Sequence, residues 1–325
     1  MSDLPADRLE PAPPFTYSAV DFFGPIYVKE GRKQMKRYGA MFTCLASRAI
    51  HIEVAYSLST DSFINCYRRF VCRRGPVRLL GADRGTNFIG VKGEQETVFM
   101  DMDQDKIRRE LLKDHYDWIQ FEMNVPHASH MGGVWERMIR SARNALSGLL
   151  TAHSDRLDDD SLSTLLTEAE VIVNSRPLTN IDTQSPDSPM PLSPNQLLTL
   201  KTKVVMPPTG NFIRKDTYLH RRWRHVQYLA NEFWSRWRKE FLPTLQERKK
   251  WIRQHRDVQV GDIVLMIDDS APRNQWPLGR IAESFQSADG YVRKVKLKVR
   301  DSTYERPVHK LILLLTGEDP VEEPK

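Results

Sequence analysis

Three carboxylates stand out by where they fall. Asp21 interrupts an apolar, aromatic run, Phe15 to Val28 (FTYSAVDFFGPIYV). A carboxylate buried there is costly unless it is paired or holds a cation. Asp83 follows the short apolar stretch Val77 to Ala82 and precedes Arg84-Gly85-Thr86-Asn87. The C-terminal end of a strand and the loop after it expose side chains to a cleft, although D-R-G-T-N also suits a plain tight turn. Glu136 opens a helical stretch after a loop carrying Gly132-Gly133, where the helix dipole favours a negative charge. Arg140 and Arg143 follow at four and seven residues and so share its face. Alone, that stripe also fits an ordinary capped helix with a solvated basic face. Gathered at one sheet edge, the three acids would offer oxygen ligands suited to Mg²⁺ or Mn²⁺. Two such ions roughly 3.5–4 Å apart serve in-line displacement at phosphorus.

The elements around them are legible from periodicity. Phe15–Val28, Tyr38–Leu45 and Ala49–Tyr56 read as strands, with a basic turn from Lys29 to Arg37. His51 and Glu53 alternate with apolar neighbours, as surface or satisfied sheet residues do. A helix opens at Thr60-Asp61 and runs to Arg73, with Phe63, Ile64, Tyr67 and Phe70 facing inward. The strand before Asp83 follows, then a polar stretch over 91–117 and a strand from His115 to Phe121. The Glu136 helix carries Met138, Ile139, Ala142, Leu146, Leu149 and Leu150 at three- and four-residue steps. Asp158 to Ser161 cap a further helix, Leu162–Asn174, which Arg176-Pro177 ends. The order describes an α/β unit: a mixed sheet flanked by helices, in the manner of the ribonuclease-H-like fold.

Charge divides the chain of 325 residues unevenly. Residues 201–310 hold 24 Lys/Arg against 12 Asp/Glu, within a net charge of +6 for the whole. A near-neutral front and a basic back describe a body with a polyanion-binding appendage. Trp223, Trp234, Trp237 and Trp251 are interleaved with the basic residues, a mixture suited to phosphates and to stacking on bases. Leu229, Phe233, Trp237, Phe241 and Leu245 nevertheless recur every fourth residue, so Trp237 reads as packing. Three cysteines are too few and scattered for a disulfide framework or zinc knuckle. The sequence shows neither a signal segment nor an apolar run long enough to span a membrane.

The blocks VDFFGP around Asp21, ADRGTNF around Asp83 and PHASHMGGVWE ending at Glu136 resemble the three acidic blocks of retroviral-type integrases. RGPVR (74–78) and VNSRPLT (173–179) are similar to the Bel/Pao group of LTR retrotransposons, and WRHVQYLANEFWSRW, VGDIVLMIDD, APRNQWPLGR and RPVHKLILLL to the segment that follows the core there. The resemblance implies a polynucleotidyl transferase with endonuclease activity. It would trim element ends by hydrolysis and join the 3′ ends to target DNA by transesterification. Asp21, Asp83 and Glu136 would be the catalytic metal ligands of two Mg²⁺ or Mn²⁺ ions, with no small-molecule cofactor. Arg140 and Arg143 would lie against the element end. His127 and His130, in the loop before the helix, would be either DNA contacts or plain loop residues. Double-stranded DNA and further copies of the chain would be the partners, with action in the nucleus and a cytoplasmic stage before import.

Three features depart from the pattern. Asp83 and Glu136 are separated by 52 residues, a longer interval than usual, which the polar stretch 91–110 accounts for as an insertion. Arg84 stands where a small polar residue is usual. The N-terminal zinc-binding module of integrases is absent, which implies either a start inside a polyprotein or a truncated copy that has lost multimerisation through that module. A catalytically dead, DNA-binding or scaffolding relative is the alternative.

Taken together, residues 1–13 read as a disordered leader, 14–180 as the core, 181–215 as a Pro-rich linker, 216–256 as a basic helical region, 257–316 as a small SH3-like β-barrel and 317–325 as an acidic tail. In VRKVKLKV (292–299) the alternation places Lys296 and Lys298 on one outward face. Such a face would bind phosphates without sequence preference, or simply guard an edge strand.

Overall fold

The computed structural model describes residues 11–82, 102–103, 105–107, 109, 120–123, 135–153, 156–178, 192–201, 203, 205–218, 222–245, 257–268, 271–287, 290–299 and 302–315. β1 (Tyr17–Glu30) and β2 (Lys33–Cys44) form an antiparallel hairpin. Gly31 turns the chain with φ +61°, a conformation glycine adopts without steric cost. The stretch Lys29–Arg37, read from sequence as a turn, is therefore mostly strand: Val28 pairs with Met35 and Glu30 with Lys33. The charged side chains from Lys29 to Lys36 are exposed, whereas Arg37 is buried and donates to Asp159 Oδ1 at 2.7 Å, and the backbone groups satisfy one another.

β3 (Ile50–Ala55) continues the antiparallel order, whereas β4 (Leu79–Ala82) and β5 (Gln120–Met123) run parallel to β1. The sheet reads β3-β2-β1-β4-β5. Alternation along β1 sends neighbouring side chains to opposite layers. Val20 and Phe22 join α1 (Thr60–Arg74), whose Phe63, Cys66, Tyr67 and Phe70 are buried. Phe23 faces the other side and packs with α2 (Trp135–His153) and α3 (Asp159–Asn174). Its ring lies over Gly39, where an added Cβ would stand 2.1 Å from Phe23 Cζ. Only glycine permits that approach, and full burial of such a ring contributes about 1.5–3 kcal/mol.

β3 is an edge strand, and α3 closes it. Asn174 Oδ1 accepts from Ile50 N at 2.9 Å, Asn174 Nδ2 donates to Ile50 O at 2.8 Å, and Glu170 Oε2 accepts from Ile52 N at 3.0 Å. Side chains thus occupy the backbone groups that another strand would otherwise seek.

In the back half, α4 (Pro194–Thr199) begins at a Ser193–Gln196 capping box. α5 (Arg222–Leu245) lays Leu229, Phe233, Trp237 and Phe241 into the same core as α2 and α3. The every-fourth-residue pattern makes an apolar stripe that has to be covered, and those two helices cover it. Strands β6 (Ile263–Met266), β7 (Leu278–Gln286), β8 (Val292–Val299), β9 (Ser302–Pro307) and β10 (Leu311–Leu315) form an antiparallel sheet ordered β10-β6-β7-β8-β9. Among the described residues no β9–β10 pairing closes it into a barrel.

The connection between β6 and β7 leans on the core. Arg273 NH2 donates to Gln227 Oε1 at 2.6 Å and lies 3.4 Å from Glu168 Oε2. Trp276 meets Trp234 and Phe241 edge-on at 4.9 and 5.6 Å between centroids. No described helix is long and apolar enough to cross a membrane.

Candidate active site

Asp21 lies in the middle of β1, opposite Met41 of β2. On its other side Val20 pairs with Ala82, the final residue of β4, so the strand that leads to Asp83 ends beside Asp21's neighbour. Ala82 in turn pairs with Met123 of β5. Asp21 shares the sheet face of Phe23, which α2 covers. Glu136 is the second residue of α2, within the first helical turn, as its sequence context predicts; its side chain, like all of Asp83, Arg84, His127 and His130, lies outside the described residues.

The two arginines of α2 differ. Arg140 is exposed. Arg143 is buried, with 9% of its surface exposed, and its NH1 donates to Asp21 Oδ2 at 2.7 Å. The sequence gives both as DNA contacts, on the stripe of Glu136; in the structure the Arg143 guanidinium lies on Asp21. The cause is its position on α2. Ala142 and Leu146 on either side are fully buried in the core shared by the sheet, α3 and α5, which carries the intervening side chain to the margin of that packed face. A charge-assisted contact with Asp21 then offsets the cost of burial.

Carboxylate oxygens are fitting donors for a hard divalent cation, and Asp21 keeps 30% of its side chain open. Among the described residues no group of three or more potential ligands comes together. Asp21 is the one candidate ligand whose side chain is described, and a guanidinium already sits on it.

A second ionic group surrounds β3. His51 Nε2 lies 2.9 Å from Glu53 Oε1, and its Nδ1 lies 3.2 Å from Glu170 Oε2. Arg69 Nε donates to Glu53 Oε2 at 2.7 Å, Arg73 also reaches Glu53, and Arg74 donates to Glu170. Burial disfavours the imidazolium of His51, but hydrogen bonds to Glu170 and Glu53 outweigh it and hold the pKa above the ordinary histidine value. For Glu53, burial acts upward, while the hydrogen bonds from His51 and Arg69 prevail and hold the carboxyl below its usual range. Nearby, burial pushes the Cys66 thiol up to about 11. His51 and Glu53 are thus satisfied sheet residues, buried rather than superficial. A sequence signal existed for this group: His51 and Glu53 stand two apart on one strand face, and Arg69 and Arg73 four apart on one helix face.

On the second sheet, Val295 and Leu297 are fully buried, and Lys294, Lys296 and Lys298 occupy the opposite face of β8. Lys296 Nζ lies 2.8 Å from Glu283 Oε1, with Glu305 opposite it on β9, and Lys294 pairs with Glu305. The hydrogen bond with Glu283 raises the Lys296 pKa. Lys298 stands in register between Arg280 and Thr303. Of the interleaved tryptophans, Trp234 and Trp237 are only 4% and 0% exposed and cannot stack on bases, whereas Trp223 is 53% exposed. Trp251 lies outside the described residues.

Comparison with known proteins gives a match over residues 221–314 to a family of unknown function, DUF5641, less than a third of the chain. No curated protein matches. Two solved structures are similar over longer stretches. The first is a chain of the simian T-cell lymphotropic virus intasome in complex with PP2A regulatory subunit B56 gamma, with a TM-score of 0.37, 12% identity, and coverage of 93% of this chain and 80% of that one. The second is the catalytic core domain of BIV integrase, with a TM-score of 0.35, 16% identity, and coverage of 57% of this chain and 93% of that one.

Proposed function

We propose that the chain is an integrase of the Bel/Pao retrotransposon type, a polynucleotidyl transferase that processes element DNA ends and joins them to target DNA. One observation carries the reading. β1 holds Asp21 level with the end of the strand leading to Asp83, on the sheet face covered by the helix that opens with Glu136. The three blocks that resemble integrase motifs are thus served by adjacent elements, although they are far apart in sequence.

In this reading Asp21, Asp83 and Glu136 hold two Mg²⁺ or Mn²⁺ ions. When bound, such ions activate the attacking water or 3′-hydroxyl and neutralise the leaving oxygen. The remaining work of the chain is positioning and charge. Exposed Arg140 faces the phosphodiester of the element end, and basic residues of the second sheet track the backbone of the duplex. His127 and His130 contact DNA from the loop before α2. Joining two ends in concert requires at least two copies of the chain, and a chromosomal target places the reaction in the nucleus. The second sheet, with its paired cations, serves as the DNA-binding appendage that the sequence reading called an SH3-like barrel.

The alternative is a catalytically inactive DNA-binding relative, and the contact of Arg143 with Asp21 is the observation that favours it. A strand-transfer assay decides. With duplex oligonucleotides carrying element ends and Mg²⁺ or Mn²⁺, the wild type joins ends, whereas Asp83→Asn and Glu136→Gln lose joining by at least about 10²-fold, the scale of losing a preorganised electrostatic contribution, and still bind DNA. Equal joining by all three proteins overturns the mechanism. DNA binding with no joining by the wild type, under conditions where a related active integrase works, establishes the inactive reading.

A further inference from the structure

We propose that Arg143 is the resident counter-cation of Asp21, and that a DNA phosphate draws the guanidinium away so that the carboxylate can take a divalent cation. The proposal rests on the integrase reading above. The Arg143 NH1–Asp21 Oδ2 distance is 2.7 Å, short for a nitrogen–oxygen hydrogen bond and typical of a charge-assisted one. A dication on the same oxygen would sit beside a fixed positive charge, so the two cations exclude each other at Oδ2.

The surroundings make an exchange feasible. Asp21 keeps 30% of its side chain open, whereas Arg143 keeps 11%. An ion can therefore approach the carboxylate, while the guanidinium leaves only towards a partner that satisfies it. A phosphodiester is such a partner. The planar guanidinium carries five N–H donors and matches phosphate geometry with two of them at once. Arg140, on the next turn of α2, is exposed, which puts a second cation within reach of the same backbone. DNA binding would then take the guanidinium off Asp21 Oδ2 and reduce positive charge beside the metal position in one step. Reciprocity requires the converse, that a cation on Asp21 tightens phosphate binding by the same factor. Without DNA the carboxylate stays neutralised, which suppresses metal-dependent hydrolysis off the substrate. Arg143 is accordingly a positioning residue, acting through Asp21.

The test reads metal affinity directly, by Mn²⁺ titration followed through electron paramagnetic resonance, without turnover. In the absence of DNA, Arg143→Gln binds Mn²⁺ more tightly than the wild type by about tenfold, the scale of a typical coupling, and Arg143→Lys stays close to the wild type because it keeps a cation there. Addition of a short duplex tightens Mn²⁺ binding to the wild type, and that gain shrinks in Arg143→Gln. Asp21→Asn, titrated alongside with the same duplex, subtracts the ions held by DNA itself. Should Arg143→Gln fail to fold, as a circular dichroism melt would show, the gain with DNA in the wild type and in Arg143→Lys still decides. Unchanged or weaker Mn²⁺ affinity in folded Arg143→Gln overturns the exchange, as does a wild type whose affinity ignores DNA. If either occurs while Asp21→Asn abolishes Mn²⁺ binding, the exchange falls and the metal-dependent reading stands. If Asp21→Asn changes nothing, both fall.

Discussion

Two ionic groups sit on the same sheet, and they are built differently. Around β3, His51 lies between two carboxylates that three arginines from α1 also reach, and only 5% of the Glu53 side chain and 9% of that of Glu170 remain open. Glu170 additionally accepts from a backbone N–H of the edge strand. In the middle of the sheet, Asp21 meets Arg143 and keeps 30% of its side chain open. The first group joins β3, α1 and α3, and loses its value if any member leaves. The second leaves a carboxylate within reach of solvent beside the end of a parallel strand. A network closed on itself holds a fold together. A carboxylate with one open side can change partners.

The difference should be largest in stability. Removing one member of a buried ionic group leaves the others uncompensated, at a cost of about 3–5 kcal/mol. Glu170→Ala should approach that range, because it also orphans the N–H of Ile52 and uncovers the edge of β3. Arg143→Gln should cost about 1 kcal/mol, since its partner can turn to water. Urea unfolding of the two variants measures the contrast directly. Comparable losses would mean that Asp21 is held as part of the core and that the comparison is mistaken.

The pH dependence of folding gives a narrower separation. The pKa of His51 lies above its unfolded value, so its contribution is complete below roughly pH 6.5, the unfolded value, and is lost as pH rises through the higher folded value. The pKa of Glu53 lies below its unfolded value. Its contribution is present above roughly pH 4.3 and is lost as pH falls through the lower folded value. Stability should therefore decline as pH rises from roughly 6.5 through the higher folded value, and His51→Gln should flatten that decline, whereas Arg143→Gln should leave it in place. Unfolding free energies measured between about pH 5 and pH 9 cover the alkaline limb. A decline that survives in His51→Gln would assign it to another group.

How far the sequence revealed all this depends on the kind of signal. The sheet was readable because strands announce themselves locally: the apolar, aromatic run of β1, the apolar run before Asp83 and the caps of α1 and α3 are written in adjacent residues. α5 was readable as a helix from its every-fourth apolar residues, but its placement inside the front core was not, because that depends on which neighbours leave an uncovered face. The same limit hid the inward turn of Arg143. Spacing put it on the stripe of Glu136, yet only the packing of Ala142 and Leu146 determines which side of the stripe meets the sheet. Alternation left His51 and Glu53 as surface or satisfied sheet residues, and Glu170, more than a hundred residues away, could not be foreseen as the group that meets His51.

The smallest effect should appear on β8, where the comparison repeats at the surface. Alternation alone makes Lys296 and Lys298 equivalent, but their cross-strand neighbours do not. Lys296 stands between Glu283 and Glu305, whereas Lys298 stands between Arg280 and Thr303. An exposed pair contributes little to stability, yet it matters for an approaching polyanion, because a lysine already facing a carboxylate releases fewer counterions from DNA. Lys298→Ala should therefore weaken duplex binding and reduce the slope of log affinity against log salt by about 0.9, the value of one phosphate contact. Lys296→Ala should change the slope less, and Glu283→Ala should act in the opposite direction, since removing the acid releases Lys296 for phosphate. Fluorescence anisotropy across a salt series resolves both. Equal slopes for the two lysine variants would show that cross-strand carboxylates do not withdraw a lysine from DNA here, and that alternation alone describes the face.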